Sequence, residues 1–232
     1  MGQVLAVLFG IVKWSGAAII LLALLSVLWV IAYRFVAPPT TYLMTTTRWS
    51  GVPISHRWVP IEAISPVLWE TAIAAEDGRF CTHDGFDREA IGKAIERNKQ
   101  GGRLRGASTI SQQTAKNAFL WPGRTYVRKG LEAYFTVLIE TLWPKRRIME
   151  VYLNIAELGP GVFGAEAASQ RFFGKPARSL SPYEAALLAA VLPSPKRMHP
   201  TKPSTYLRWR AESLLARAEV VRNSGYARCV LN

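Results

Sequence analysis

Hydrophobic and polar positions along the chain predict helices almost throughout. From Trp14 to Tyr33 the stretch WSGAAIILLALLSVLWVIAY carries no charged residue, and about 20 such residues span a bilayer core as a helix. Residues 37–60, APPTTYLMTTTRWSGVPISHRWVP, lack helical periodicity and are rich in Pro, Thr and aromatics. They read as an extended connector with a short hairpin. Ser65-Pro66 then supplies an N-cap and a first-turn proline, opening a helix toward Asp77. Asp87 opens a second helix, which ends before Gly101-Gly102, and a third begins near Ser108-Thr109. A long amphipathic helix runs from about Thr125 to Trp143, with Leu131, Phe135, Leu138 and Leu142 on one face. KRRIMEVYLNIA, GAEAASQRFFG and SPYEAALLAAVLP follow, the last opening on a capping box of Ser181 and Glu184 around Pro182. A final helix covers roughly Tyr206 to Arg222. The expected organisation is mainly α: residues 1–36 with a spanning helix at about 14–33, a connector at 37–60, and a helical domain at 61–232.

One position breaks the pattern. Trp69, Ala72 and Ile73 mark an apolar helical face, and the next place on that face is Glu76. Burial and the negative end of the helix dipole both disfavour a carboxylate there. A carboxyl in that setting suits a general base working near neutrality; an exposed side chain on a fraying helix end is the plainer reading, and from this residue alone the stronger one.

Charge narrows the class of partner. Lys and Arg number 29 against 16 Asp and Glu, a net charge of +13, in a chain of 232 residues that is 50% hydrophobic. That composition excludes a disordered chain, and the excess calls for an anionic partner: nucleic acid, anionic lipid or a phosphorylated substrate. A cleaved signal peptide would have a shorter apolar core, roughly 7–15 residues, and a small-residue cleavage site. The run here ends in YRFVAPP, so an anchor is expected, with Trp14, Trp29 and Tyr33 near its ends. Lys13 before the run and Arg34 and Arg48 after it leave the orientation open. Cys81 and Cys229 are the two cysteines. They can bridge in an oxidising compartment and stay reduced in the cytosol. No Cys/His cluster of metal-binding type is present in the sequence.

Three further clusters carry chemistry. In GGRLRGASTISQQTAKN a Gly-rich basic loop feeds a helix capped by Ser108 and Thr109, with Arg103 and Arg105 nearby, a pattern that cradles anions. Thr109, Gln112 and Lys116 fall on one face, and Gln113 and Asn117 form a second polar row. An ordinary N-cap explains the hydroxyls but not two amide-bearing rows. In GRTYVRKGLEAYFTVLIE, Arg128 and Glu132 match a simple helix pair worth roughly 0.2–0.5 kcal/mol. Glu132, however, borders the apolar stripe among Arg124, Arg128 and Lys129, which suits an ionised carboxylate beside cations that hold phosphate. In PKRRIMEVYLN the cations open a helix, where they oppose its dipole. Lys145 is therefore a candidate for another task, with Tyr152 and Asn154 further on; a solvated face toward anionic lipid is the plainer reading.

Together these pieces resemble the peptidoglycan glycosyltransferases, the transglycosylases found alone or as the N-terminal part of bifunctional penicillin-binding proteins. EDGRFCTHDG (76–85), GASTISQQTAKN (106–117), RKGLE with its trailing Glu140, KRRIMEVYLN (145–154) and RFFGKPARSLSPYEAALLAAVLPSP occur in the family's order. With no transpeptidase segment following, the resemblance is to the monofunctional type. It implies a lysozyme-like helical domain with a small membrane-proximal lobe, preceded by one N-terminal transmembrane helix. It also implies polymerisation of lipid II on the growing glycan chain, with inversion and release of a polyprenyl diphosphate, by an extracytoplasmic domain at the bacterial inner membrane. Glu76 is then the base and Glu132 the second acidic residue. Ser108, Thr109, Gln112, Gln113, Lys116, Asn117, Arg124, Arg128 and Lys129 line the donor and diphosphate region. Lys145 and Asn154 join them, and Asp77 and His83 shape the site. No cofactor is required; a divalent metal, Mg or Mn, at the diphosphate is compatible with the family, though no ligand set compels it. The partners implied are membrane lipids and other cell-wall synthesis or division proteins, with no nucleic acid. A lysozyme-like hydrolase would share the fold and the glutamate, but would leave the cationic clusters unused. A membrane-tethered binding module would need neither a buried Glu76 nor an amide-lined helix face.

Overall fold

The computed structural model describes residues 2–99, 108–123 and 125–231. The expected Gly101-Gly102 helix stop, Arg103, Arg105 and Arg124 lie outside them. Contacts divide the chain into two units, residues 1–36 and 37–232. The first is a single helix, α1 (Gly2–Phe35). Its segment Phe9–Phe35, with mean hydropathy 2.5, is long and apolar enough to cross a membrane.

The second unit is built from helices α2 (Tyr42–Trp49), α3 (Pro66–Glu76), α4 (Arg88–Lys99), α5 (Ile110–Phe119), α6 (Tyr126–Leu142), α7 (Lys145–Ile155), α8 (Ala165–Phe173), α9 (Pro182–Val191), α10 (Thr205–Asn223) and α11 (Arg228–Leu231). Strands β1 (Ser55–His56), β2 (Glu157–Gly159) and β3 (Val162–Phe163) form a sheet of order β1-β3-β2. Helices α3, α9 and α10 pack on one another. In α9 every residue from Ala185 to Val191 is buried, and small side chains let neighbours close on all sides. The expected Ser181–Glu184 capping box is present. Helix α3 is likewise buried from Leu68 to Ala74, so a one-faced reading understates it. Glu70 is 4% exposed in its middle, and its carboxylate accepts a 2.9 Å hydrogen bond from Arg222 Nε on α10. Such a buried charge is tolerable only when paired.

A second group consists of α5, α6 and α7, with α5 packed against both. Phe119 of α5 stacks on Phe135 of α6 at 4.8 Å between centroids, a contact worth about 0.5–1.5 kcal/mol beyond area burial. The inward face of α6 differs from the leucine stripe that periodicity suggests. Arg128, Glu132, Phe135, Thr136 and Ile139 are buried, whereas Leu131, Leu138 and Leu142 are half-buried at its edge. Arg128 and Glu132 neutralise each other one turn apart, which lets a charged pair occupy the interior.

Residues 37–60 are not an extended connector. They belong to the larger unit and carry α2, which turns Met44 and Thr47 inward and packs near α5. Thr41 caps it, accepting from Met44 N–H at 3.2 Å, while the hydroxyls of Thr45 and Thr46 donate back to Thr41 O and Tyr42 O at 3.1 and 3.0 Å. The β-branched run that suggested extended chain is thus accommodated by threonine back-bonding within one turn. The expected local hairpin is also absent: β1 pairs in parallel with the distant β3, and the antiparallel pair is β2–β3. Gly164, at φ 85°, follows β3 where a Cβ would stand 2.5 Å from Asn154 O, so only glycine admits this approach to α7.

Cys81 and Cys229 are disulfide-bonded across 148 residues. The bridge fastens α11 to the short 3-10 turn Phe80–Thr82, just beyond the end of α3. Arg146 of α7 adds a second tie, donating to Val230 O at 2.8 Å.

Candidate active site

Glu76 is the last residue of α3 and is half-buried. Gln113 of α5 donates to its Oε2 at 2.8 Å, so the second polar row has a concrete partner. Asp77, the C-cap of α3, is turned inward. Its Oδ1 pairs with His83 Nε2 at 2.8 Å, and its Oδ2 accepts the Ile110 N–H at 3.0 Å. That N–H opens α5, so the carboxylate also sits at the positive end of a helix dipole. The two shaping residues expected from the sequence therefore do meet, and together they lock the start of α5 to the end of α3.

The loop between α3 and α4 is stitched down along its length. Thr109 Oγ1 donates to Gly85 O at 2.6 Å, and a Cβ at Gly85, where φ is 86°, would lie 2.6 Å from Thr136 Cγ2 of α6. Lys145 donates to His83 O at 2.6 Å and to Glu140 Oε1 at 2.8 Å. Its ammonium lies 4.6 Å from the centroid of the Phe80 ring, and Ser111 bonds the same Glu140 oxygen. Lys145 is thus held by protein groups on all these sides and ties the loop to α6. Glu140 had carried no assigned role; its sequence signal was only the trailing acid of RKGLE.

A second charged group flanks the first. Arg128 donates to Glu132 Oε2 at 2.7 Å, and Lys129 bonds the other oxygen. Glu132 is 3% exposed and sits at the centre of the inward face of α6, not at its border. Lys116 of α5 joins the two groups electrostatically. Burial pushes its ammonium pKa down, the charge of Glu132 opposes this, Arg128 and Lys129 add to the lowering, and Glu76 opposes it. Lys116 is thus within electrostatic reach both of Glu76, which Gln113 holds, and of the Arg128–Lys129–Glu132 group.

Beside Glu76 and Asp77 lies a cleft of about 240 Å³. Ser108 and Thr109 reach it from one side, and Lys93 and Arg97 from α4 on the other. Ser108 is exposed and precedes the helix; Thr109 alone is the N-cap of α5. The two α4 cations escaped notice because they read as an ordinary solvated helix surface. Asn117 and Lys116 line a smaller cavity of about 180 Å³ with Leu43 of α2 and Trp121.

Two expected site residues also make bonds within the fold. Gln112 closes the capping box of α5: its Oε1 accepts the Thr109 N–H at 3.0 Å, and it is buried. Asn154 is 0% exposed. Its Oδ1 accepts from Val59 N–H at 2.9 Å, and its Nδ2 donates to Val59 O and Glu150 O at 2.9 and 2.8 Å. A satisfied amide of this kind fastens residues 56–61 to α7 and has no donor left for a ligand.

A family model described as Transglycosylase matches residues 44–219, which takes in both charged groups and every helix from α3 to α9. The chain belongs to the transglycosylase family. Relatives agree over nearly the whole length. A biosynthetic peptidoglycan transglycosylase of Rhodospirillum centenum is 58% identical over 91% of this chain and 92% of its own. Proteins of the same name from Caulobacter vibrioides and Bdellovibrio bacteriovorus are 55% and 53% identical, over 87% and 88% of this chain and 88% and 84% of theirs. The mainly helical, lysozyme-like architecture expected from the sequence goes with that membership, as does a glycosyltransferase activity.

Proposed function

We propose that this transglycosylase polymerises lipid II into peptidoglycan strands by an inverting glycosyl transfer. The observation that carries the reading is a carboxylate held at the cleft, Glu76 on Gln113, accompanied by a separate buried cationic group, Arg128 and Lys129 on Glu132, with Lys116 in electrostatic reach of both. Glu76 takes the proton from the acceptor sugar hydroxyl, and that oxygen forms a bond to the anomeric carbon of the growing chain. The bond from that carbon to the diphosphate oxygen breaks, and the polyprenyl diphosphate leaves as an anion. Lys116, Arg128 and Lys129 stabilise the departing charge in a partly dehydrated setting. Glu132 keeps the buried guanidinium of Arg128 oriented toward it. A hydrolase of the lysozyme kind has no use for that cationic half.

Among the described residues no group of three or more His, Cys, Asp or Glu is placed to hold a metal ion. The divalent ion compatible with the family would rest on the diphosphate oxygens, and no step is assigned to it. We further propose that α1 anchors the protein in the bacterial inner membrane with residues 37–232 on the extracytoplasmic side. The Cys81–Cys229 bridge supports that side, because disulfides persist in oxidising compartments. Incubation of the detergent-purified protein with labelled lipid II is the direct test. High-molecular-weight glycan on a gel is expected; cleavage of preformed glycan without polymer would show a hydrolase instead.

A further inference from the structure

The loop that follows Glu76, residues 77–87, carries Asp77 and His83. Apart from the short 3-10 turn Phe80–Thr82 it contains no helix or strand, and segments of that kind open locally before packed helices do. Groups of α5 hold it at Asp77 and at Gly85. Its middle is held from α7 and from the C-terminal end of the chain. Lys145, the first residue of α7, donates to His83 O at 2.6 Å. Arg146, the next residue, donates to Val230 O of α11 at 2.8 Å and pairs with Glu62. Val230 is 1% exposed and α11 packs on α7, so α11 is firmly seated. From there Cys229 reaches the loop through its disulfide to Cys81, and its N–H donates to Cys81 Sγ at 3.3 Å. The ties close on themselves. Adjacent residues of α7 grip the loop at His83 and α11 at Val230, and the bridge joins the loop to α11.

Resting on the assignment of Glu76 as base, we propose that Cys81 and Cys229 are positioning residues for the glycosyl transfer, and that opening their bridge slows the reaction without unfolding the domain. Closed, the bridge fixes the turn at Phe80, whose N–H donates to Asp77 O at 3.0 Å. Asp77 is the C-cap of the helix that ends in Glu76, so the base inherits the position of the turn. A base displaced by a fraction of an ångström from its proton loses much of its effect. Lys116, Arg128 and Lys129 stand on α5 and α6, outside this bracket. Both cysteines are half-buried, within reach of an attacking thiolate. Opening is a two-electron step. One thiolate of an extracytoplasmic dithiol attacks a sulfur of the bridge and forms a mixed disulfide, which the second sulfur of the dithiol displaces. The protein keeps two protonated thiols, the dithiol leaves as a disulfide, and an oxidising disulfide reverses the exchange.

The full-length protein in detergent, held below the unfolding temperature of its reduced form, provides the test. Dithiothreitol is expected to lower lipid II polymerisation by about tenfold or more. The fall lies in kcat rather than KM, and reoxidation restores the rate. Cys229→Ser is expected to start at the reduced rate and to ignore dithiothreitol. In both reduced protein and variant, amide exchange of residues 77–87 quickens while that of α9 keeps its wild-type rate. A folded, reduced enzyme with unchanged kcat overturns the proposal, as does exchange that quickens equally in α9, the mark of a bridge serving stability alone. A Cys229→Ser enzyme still slowed by dithiothreitol overturns it too. Oxidised wild type that makes no polymer breaks the functional reading instead, and exchange at residues 77–87 then decides the bracket by itself.

Discussion

Charged side chains in this protein do different work according to what faces them. Glu132 and Arg128 are both nearly buried and each is the other's counter-ion. Glu132→Gln leaves the guanidinium without a full negative charge, and breaking a buried pair costs about 3–5 kcal/mol. Denaturant unfolding in micelles is expected to show a loss toward the lower end of that range, since Gln still accepts a hydrogen bond; an unchanged midpoint would mean that the pair is not buried in solution. Lys116 presents the opposite case. Its folded pKa lies below 10.5 because burial disfavours the ammonium. Below that depressed value both the folded and unfolded states are protonated and the fold carries the unfavourable buried charge. Between it and 10.5 the unfolded chain holds more protons, so this residue makes stability rise with pH there. Affinity for a diphosphate ligand runs the other way and is lost as pH rises through the lowered pKa. Lys116→Arg, charged throughout, is expected to hold affinity across that range; equal pH curves for the two proteins would contradict a role for the Lys116 charge. The sequence revealed these residues but not their depths. Gln112 and Asn154 look as available as Gln113 in the sequence, and only the packing of α5 and of residues 56–61 shows that the Gln112 side-chain oxygen and the whole Asn154 amide are already bonded.

Helices with strong punctuation were legible in advance. The starts at Ser65-Pro66, Thr125 and the Ser181–Glu184 box and the stop near Arg222 all fall close to where the sequence puts them, although Ser65 makes no side-chain cap bond. Helix α2 was not legible, because eight residues with three threonines give too short a pattern to beat β propensity. Its stability comes from the Thr41 cap and from Met44 buried beneath it. The apolar surface expected of TTYLMTTTRW and its neighbouring aromatics does not depend on the helix: Tyr42 and Trp49 on α2, with Trp121, Tyr126 and Val127, are exposed apolar side chains. With exposed Arg48 next to Trp49 in the chain, such side chains suit the interfacial region of an anionic bilayer. Residues 37–232 without α1 are expected to float with anionic vesicles at low salt, and Tyr42→Ser with Trp49→Ser to weaken this severalfold. Complete recovery of the truncated protein in the aqueous phase would show that α1 is the sole membrane contact.

Two distant ends of the fold are joined where the chemistry is. Helix α11 carries Cys229 to Cys81, four residues beyond Asp77 and two before His83. The sequence left this pairing open because compartment, not spacing, decides it. A bridge that closes so long a loop typically contributes about 2–4 kcal/mol. Reduction is expected to lower the unfolding temperature, and thiol labelling of the unfolded, unreduced protein to find no free cysteine. Two free thiols per chain would remove the bridge and with it the support it lends to an extracytoplasmic domain. The measurement that bears most directly on the whole assignment is lipid II polymerisation by wild type and Glu76→Gln, side by side, with matched unfolding curves. A fall of at least about 10²–10⁴ in rate is expected for loss of a general base, with lipid II binding retained through Lys116, Arg128 and Lys129. A correctly folded Glu76→Gln protein that polymerises lipid II at the wild-type rate would contradict it.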